Sequence, residues 1–139
     1  MKNKLYDEIS NGKSYKKTYE AIRKKFLDIE NDLKLSTNME YELEKIVNDI
    51  REGAGKEYAA SRGEYLNAQL MAEYLGFRFV DAADLIFFNE DGTTDYAKTY
   101  EEISKTLADI TKVVIPGFYG SMPNGNDVFA KVISYGFQA

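Results

Sequence analysis

Apolar residues recur with a helical period through much of this chain. From Ser14, the residues Tyr15, Tyr19, Ile22, Phe26, Ile29 and Leu33 alternate steps of four and three, the spacing that lines one face of an α-helix. The seam is too short to specify a coiled coil and predicts a helix packed on a domain. Ser36-Thr37-Asn38 breaks it, and Thr37 followed by Glu40 predicts a capping box at the next helix start. That helix should bury Met39, Leu43, Ile46, Val47 and Ile50 and end near Gly53. Gly53-Ala54-Gly55 reads as a turn, because no strand precedes it and the phosphate-loop consensus is absent. A third helix is predicted over Ser61–Gly76, SRGEYLNAQLMAEYLG. Leu66, Leu70 and Tyr74 form one row and Asn67, Met71 and Leu75 the next, so one broad face should be buried. Gly76 suits the left-handed backbone that ends helices. Residues 1–13 are polar with scattered Leu5, Tyr6 and Ile9, and Asn11-Gly12 reads as a turn.

Beyond Gly76 the period changes. Phe77-Arg78-Phe79-Val80-Asp81-Ala82 alternates and is aromatic, as in a strand. Leu85-Ile86-Phe87-Phe88 is a second apolar run, closed by a turn at Asn89-Glu90-Asp91-Gly92. Asp84, Asn89, Glu90 and Asp91 do not have the spacing of a calcium loop, so this segment reads as a solvated tip. Thr93 or Thr94 should cap a further helix with the buried row Tyr96, Tyr100, Ile103, Leu107 and Ile110. Val113-Val114-Ile115 is a β-branched run suited to the interior of a parallel sheet. Helices alternating with short strands imply α/β architecture, with ligands at the carboxyl ends of the strands. Pro116-Gly117-Phe118-Tyr119-Gly120-Ser121 falls at such an end. Its glycine amides could hold an anion, or the segment is simply a tight turn after a buried strand, which spacing alone favours.

Composition narrows the chemistry. With 139 residues, 44% hydrophobic and 29% charged, the chain suits one globular domain. Eighteen basic against 23 acidic residues give a net charge of −5, which argues against non-specific nucleic-acid binding. No apolar run is long enough to span a membrane and no signal-peptide core is present; the expectation is a cytoplasmic protein. Cysteine and histidine are both absent, so thiol nucleophiles, thiolate metal sites and imidazole bases are excluded. Carboxylates, lysines, arginines, hydroxyls and backbone amides remain.

The stretches SRGEYLNAQLMAEYLGFRFVDAADLI and VVIPGFYGSMPNG together resemble the aspartate kinases of the amino-acid kinase family. The first carries the family's S-x-G-E helix and the second its P-G-F-x-G loop, in the family's order. The resemblance covers residues 61–125 most strongly and implies that 1–139 is a partial amino-acid kinase domain. The implied fold is a helix-rich fragment of an αβα sandwich with a short, mostly parallel sheet. The implied reaction is ATP + L-aspartate to 4-phospho-L-aspartate + ADP, with ATP and Mg2+ as the family's nucleotide and metal. By the same resemblance Glu64 would face the α-amino group of aspartate, as a carboxylate can through a charge-assisted hydrogen bond. Without the resemblance, Glu64 reads as an acid favoured near a helix N-terminus. Ser61 and Arg62 would shape the substrate site. Gly117, Phe118 and Gly120 would line it through the loop backbone. No catalytic residue and no metal ligand is assigned.

The family's K-F-G-G-type lysine loop and R-G-G-S-D motif have no counterpart in the chain, and the tail 126–139 matches neither. A chain without those cations should bind ATP poorly and show little activity alone, since phosphoryl transfer depends on charge neutralisation and positioning. Self-association is expected, because a partial sheet exposes strand edges and apolar surface. The alternative is a non-catalytic oligomerisation or partner-binding module derived from that domain, using the Tyr15–Leu33 seam and the tail.

Overall fold

The computed structural model describes residues 2–123 and 128–130; the expectation placed on the tail falls mostly outside them. Among the described residues, five α-helices are joined to two short strand pairs. The helices are α1 (Lys2–Ser10), α2 (Lys16–Asp32), α3 (Met39–Arg51), α4 (Lys56–Leu75) and α5 (Tyr96–Thr106). Strands β1 (Arg78–Phe79) and β2 (Val113–Val114) pair in parallel, Arg78 opposite Val113. Strands β3 (Tyr119–Ser121) and β4 (Val128–Ala130) pair antiparallel. This is the helix-rich α/β arrangement with a short parallel pair that the pattern implies. Among the described residues no helix is long and apolar enough to cross a membrane.

The core lies between α1, α2, α3 and α4. Met39, Leu43, Ile46, Val47 and Ile50 are all buried, as the period predicts, and they meet Ile22 and Phe26 of α2 and Leu66 and Leu70 of α4. Helix α1 is an addition to the sequence reading. Leu5, one turn before Ile9, is buried against this core, and Gly12 closes the helix at φ +70°. Two spaced apolar residues in a polar segment give too little periodicity to announce a helix on their own.

Helix α4 organises the molecule. It starts at Lys56, earlier than expected, and contacts α1, α3, β1, β2 and β4. Its buried positions are mostly small, including Ala59, Ser61, Gly63, Ala68 and Ala72, so neighbours approach on several sides rather than against one broad apolar face. Tyr74, Met71 and Leu75, expected in the buried rows, are 60%, 50% and 46% exposed. Gly76 ends the helix at φ 70° and ψ 26°, as expected.

Both expected caps move by a residue or two. Asn38, not Thr37, caps α3 by accepting from the Tyr41 amide. Thr37 donates instead to Glu30 of α2, whose carboxylate also accepts from the Met39 amide at 3.0 Å. Glu40, freed from a capping role, pairs with Arg23 of α2 at 2.7 Å. Helix α5 is capped by Asp95, which accepts from the Lys98 amide; an ionised carboxylate there also favours the helix dipole. The expected buried row of α5 does not hold. Tyr96 and Tyr100 are 60% and 63% exposed, and Thr99 is the residue that turns inward, donating to the Phe87 carbonyl and accepting from its amide.

The run Phe77–Ala82 is a strand only at Arg78–Phe79. Asp81 then accepts from the Ala83 amide and starts the 3-10 turn Ala82–Asp84. Leu85 and Phe88 are buried behind it. The Phe88 amide donates to the Ser121 carbonyl and the Ser121 amide to the Ile86 carbonyl, so β3 is stitched directly to this run. Gly120 makes the approach possible. A Cβ there would lie 2.5 Å from the Ile86 carbonyl oxygen and 2.9 Å from its Cβ. Gly120→Ala is therefore expected to destabilise the chain by about 1–3 kcal/mol, measured by urea unfolding, whereas Gly117→Ala, with no atom near its Cβ position, should fall well below that.

Candidate functional site

The two stretches singled out in the sequence meet in space, and the contact is made by Arg62. On α4, Tyr58, Arg62 and Tyr65 fall at i, i+4 and i+7, the spacing of one helical stripe. The Arg62 side chain is 8% exposed, an unusual state for a cation. Its guanidinium carbon lies 4.6 Å from the Tyr58 ring centroid, 4.2 Å from that of Tyr65 and 5.4 Å from that of Tyr119 in β3. Its Nε donates to Ser61 Oγ at 3.0 Å, and Ser61 Oγ donates in turn to the Tyr58 carbonyl. Among the described residues Arg62 makes no ion pair with a carboxylate. Ring faces carry negative potential, and each such contact contributes about 0.5–2 kcal/mol depending on desolvation. Three of them offset the loss of water around the cation.

Each of the three rings is held by a carboxylate. The Tyr58 hydroxyl donates to Asp49 of α3, Tyr65 to Glu42 of α3 and Tyr119 to Asp81. Tyr65 also meets Phe79 of β1 edge-on, with centroids 5.7 Å apart. A guanidinium is thus enclosed by rings and, beyond them, by acids that neutralise it at second range. Burial raises the Tyr58 and Tyr119 hydroxyls well above the ordinary tyrosine range, reinforced by the hydrogen bonds to Asp49 and Asp81. Burial, and then the charge of Glu42, pushes Tyr65 up to about 12. Burial would raise Asp49, but hydrogen bonds from Tyr58 and Lys45 outweigh it and leave its carboxyl below the usual value.

The residues expected at a substrate site divide around this cluster. Ser61 and Arg62 are buried inside it. Glu64 is half-buried and sits well inside α4 rather than at its start. The helix-dipole reading of Glu64 therefore lapses, because that effect is confined to the first turn, where Glu57 stands. Among the described residues the Glu64 carboxylate has no hydrogen-bond or ion-pair partner. Gly117 is exposed. Phe118 has a left-handed backbone, φ 69°, and is 57% exposed, a conformation that strains a residue bearing a side chain. Gly120 is buried against Ile86, so its lack of a side chain serves packing. Sequence reasoning missed Tyr58, Tyr65, Asp81 and Tyr119, although the Tyr-x3-Arg-x2-Tyr stripe was there to be read.

The family's nucleotide and metal can be tested against these donors. Among the described residues no three acidic side chains converge where a metal ion could be held. Burial, and then the charges of Asp81 and Glu102, raise the Asp84 carboxyl above its usual value. Among the described residues no such carboxylate cage for Mg2+ is assembled.

Comparison with known proteins gives the class and then the kind. No protein-family model matches the chain, and no curated protein does. Among solved structures, an allosteric aspartate kinase from Clostridium acetobutylicum is 39% identical, with a TM-score of 0.89 over 95% of this chain. Aspartokinase III of E. coli, solved with lysine and aspartate in its T-state, is 17% identical, with a TM-score of 0.68 over 94% of the chain. The chain spans 30% and 34% of those two proteins, about a third of their length. Fold and sequence together put the chain in the α/β class of those two structures. More narrowly, it is an aspartate-kinase-like domain segment.

The shell of raised tyrosines has a consequence for stability. The unfolded chain loses tyrosine protons near pH 10.0, whereas the folded hydroxyls keep theirs, Tyr65 until about 12. A raised folded value stabilises fully below the unfolded one and is lost as pH climbs. The urea midpoint is expected to hold up to about pH 10 and then fall towards 12, more shallowly in Tyr119→Phe, which has no proton to lose; a midpoint flat across that range would count against the shell.

Proposed function

We propose that this chain is the amino-acid-binding part of an aspartate kinase catalytic domain, over 1–139 with the motifs concentrated in 61–125. Glu64 takes the α-amino group of L-aspartate. Ser61 and Arg62 shape the wall behind it, and the backbone of Gly117, Phe118 and Gly120 lines the loop side. The observation that carries the reading is the juxtaposition of the S-x-G-E helix and the P-G-F-x-G loop through Arg62 and Tyr119, in a chain 39% identical to an aspartate kinase. It is supported by the partnerless Glu64 carboxylate and the strained backbone of Phe118, since strain of that kind gathers at ligand-holding loops. The reaction of the whole kinase is transfer of the ATP γ-phosphoryl group to the aspartate side chain. This chain contributes the acceptor side.

Calorimetric titration with L-aspartate tests the site. Wild-type chain is expected to bind, and Glu64→Gln to bind at least about tenfold more weakly, a loss of roughly 1.4 kcal/mol, with the melting temperature unchanged. Equal affinity in the two proteins would remove Glu64 from the site.

A second reading, self-association, is favoured by a separate observation. Tyr96 and Tyr100 lie side by side on α5, centroids 5.9 Å apart, and both are mostly exposed. If this face joins two copies, light scattering will give a dimer or larger at micromolar concentration, and Tyr100→Glu will return a monomer. A monomeric wild type ends that reading.

A further inference from the structure

We infer that Arg62 is a positioning residue of the amino-acid site, setting the Phe118 loop by clamping Tyr119 onto α4. The inference rests on the reading of that site given above. Arg62 and Glu64 are two residues apart on α4 and so project to different sides of the helix, which leaves Arg62 to act on the site through the loop. At its other end, the guanidinium packs on the Tyr119 ring, 5.4 Å from the centroid. Tyr119 directly follows Phe118, the residue with the left-handed backbone. A strained backbone persists only where its neighbours are held on both sides. Tyr119 is held at its hydroxyl by Asp81, at its ring by Arg62, and through Gly120 and Ser121 by the Ile86 carbonyl.

Charge and shape both select arginine here. The Tyr58 and Tyr65 rings bracket the same guanidinium within 4.6 Å, and a planar, weakly hydrated cation can stack on several rings at once, which a compact ammonium cannot. Ser61 Oγ, accepting from Nε, fixes the plane of the group. A lysine would keep the charge and lose both the stacking and this bond. Arg62 therefore does not face aspartate. It governs where the loop stands.

The test compares Arg62→Lys and Arg62→Met with wild type, and uses Val47→Ala, in the α3 core and away from the loop, as a control for general loss of stability. Two quantities are read: amide hydrogen exchange over Phe118–Ser121, and L-aspartate affinity by calorimetry. Exchange at those amides is expected to rise at least tenfold in both Arg62 variants and to stay at the wild-type rate in the control. Aspartate affinity is expected to fall at least tenfold in both and to change less than twofold in the control. Unchanged exchange in Arg62→Lys and Arg62→Met overturns the clamp, whether or not the wild type binds aspartate. Raised exchange with unchanged affinity overturns the positioning role. If the wild type itself fails to bind aspartate, the reading of the site fails and the positioning role with it, while the exchange rates still decide whether Arg62 clamps the loop.

Discussion

The structure turns on a single buried cation. Removing a guanidinium from water is expensive by several kcal/mol even after the surroundings relax, and Arg62 is almost wholly removed. An adjacent carboxylate is the usual remedy. Here the cation meets three tyrosine rings instead, and the carboxylates stand one layer out, each holding a ring by its hydroxyl. The arrangement ties together four parts of the chain distant in sequence: α3 through Glu42 and Asp49, α4 through Tyr58, Arg62 and Tyr65, the 3-10 turn through Asp81, and β3 through Tyr119. A salt bridge would have joined only two.

The remaining packing serves that junction. Helix α4 can be approached from several sides because its inward residues are small, and a helix buried on several sides has little amphipathic signature. Gly120 lets β3 lie against Ile86, which brings Tyr119 within reach of the guanidinium. Glu30, reaching from α2 to the start of α3, and the Arg23–Glu40 pair hold α2 against the helix that supplies Glu42 and Asp49. The strained turn at Phe118 is tolerated because the strand after it is fixed at both its ring and its backbone.

What the sequence discloses follows from which forces act locally. Helices α2 and α3 and the stop at Gly76 were legible, since hydrophobic period and glycine geometry are written residue by residue. The resemblance carried by S-R-G-E and P-G-F-Y-G agrees with the neighbouring structures. The caps were misplaced because Thr37, Asn38, Thr93, Thr94 and Asp95 are all competent, and Glu30, from another helix, decides the first case. Tyr74, Tyr96 and Tyr100 were expected inside because period reports which residues share a face, not whether anything covers it. Arg62 was legible as a motif residue and not as a buried one, since a charged side chain is buried only when distant partners are assembled around it. Gly117 and Gly120 look alike in sequence, yet one is open and the other is closed against Ile86.

The most direct measurement is a double-mutant cycle between Arg62 and Tyr119, using Arg62→Met, Tyr119→Leu and the double variant, with stability read by urea unfolding. If the guanidinium and the ring hold the helix and the loop together, the two losses will not add, and the coupling will be about 1 kcal/mol. Strictly additive losses, with no coupling beyond measurement error, would contradict the account.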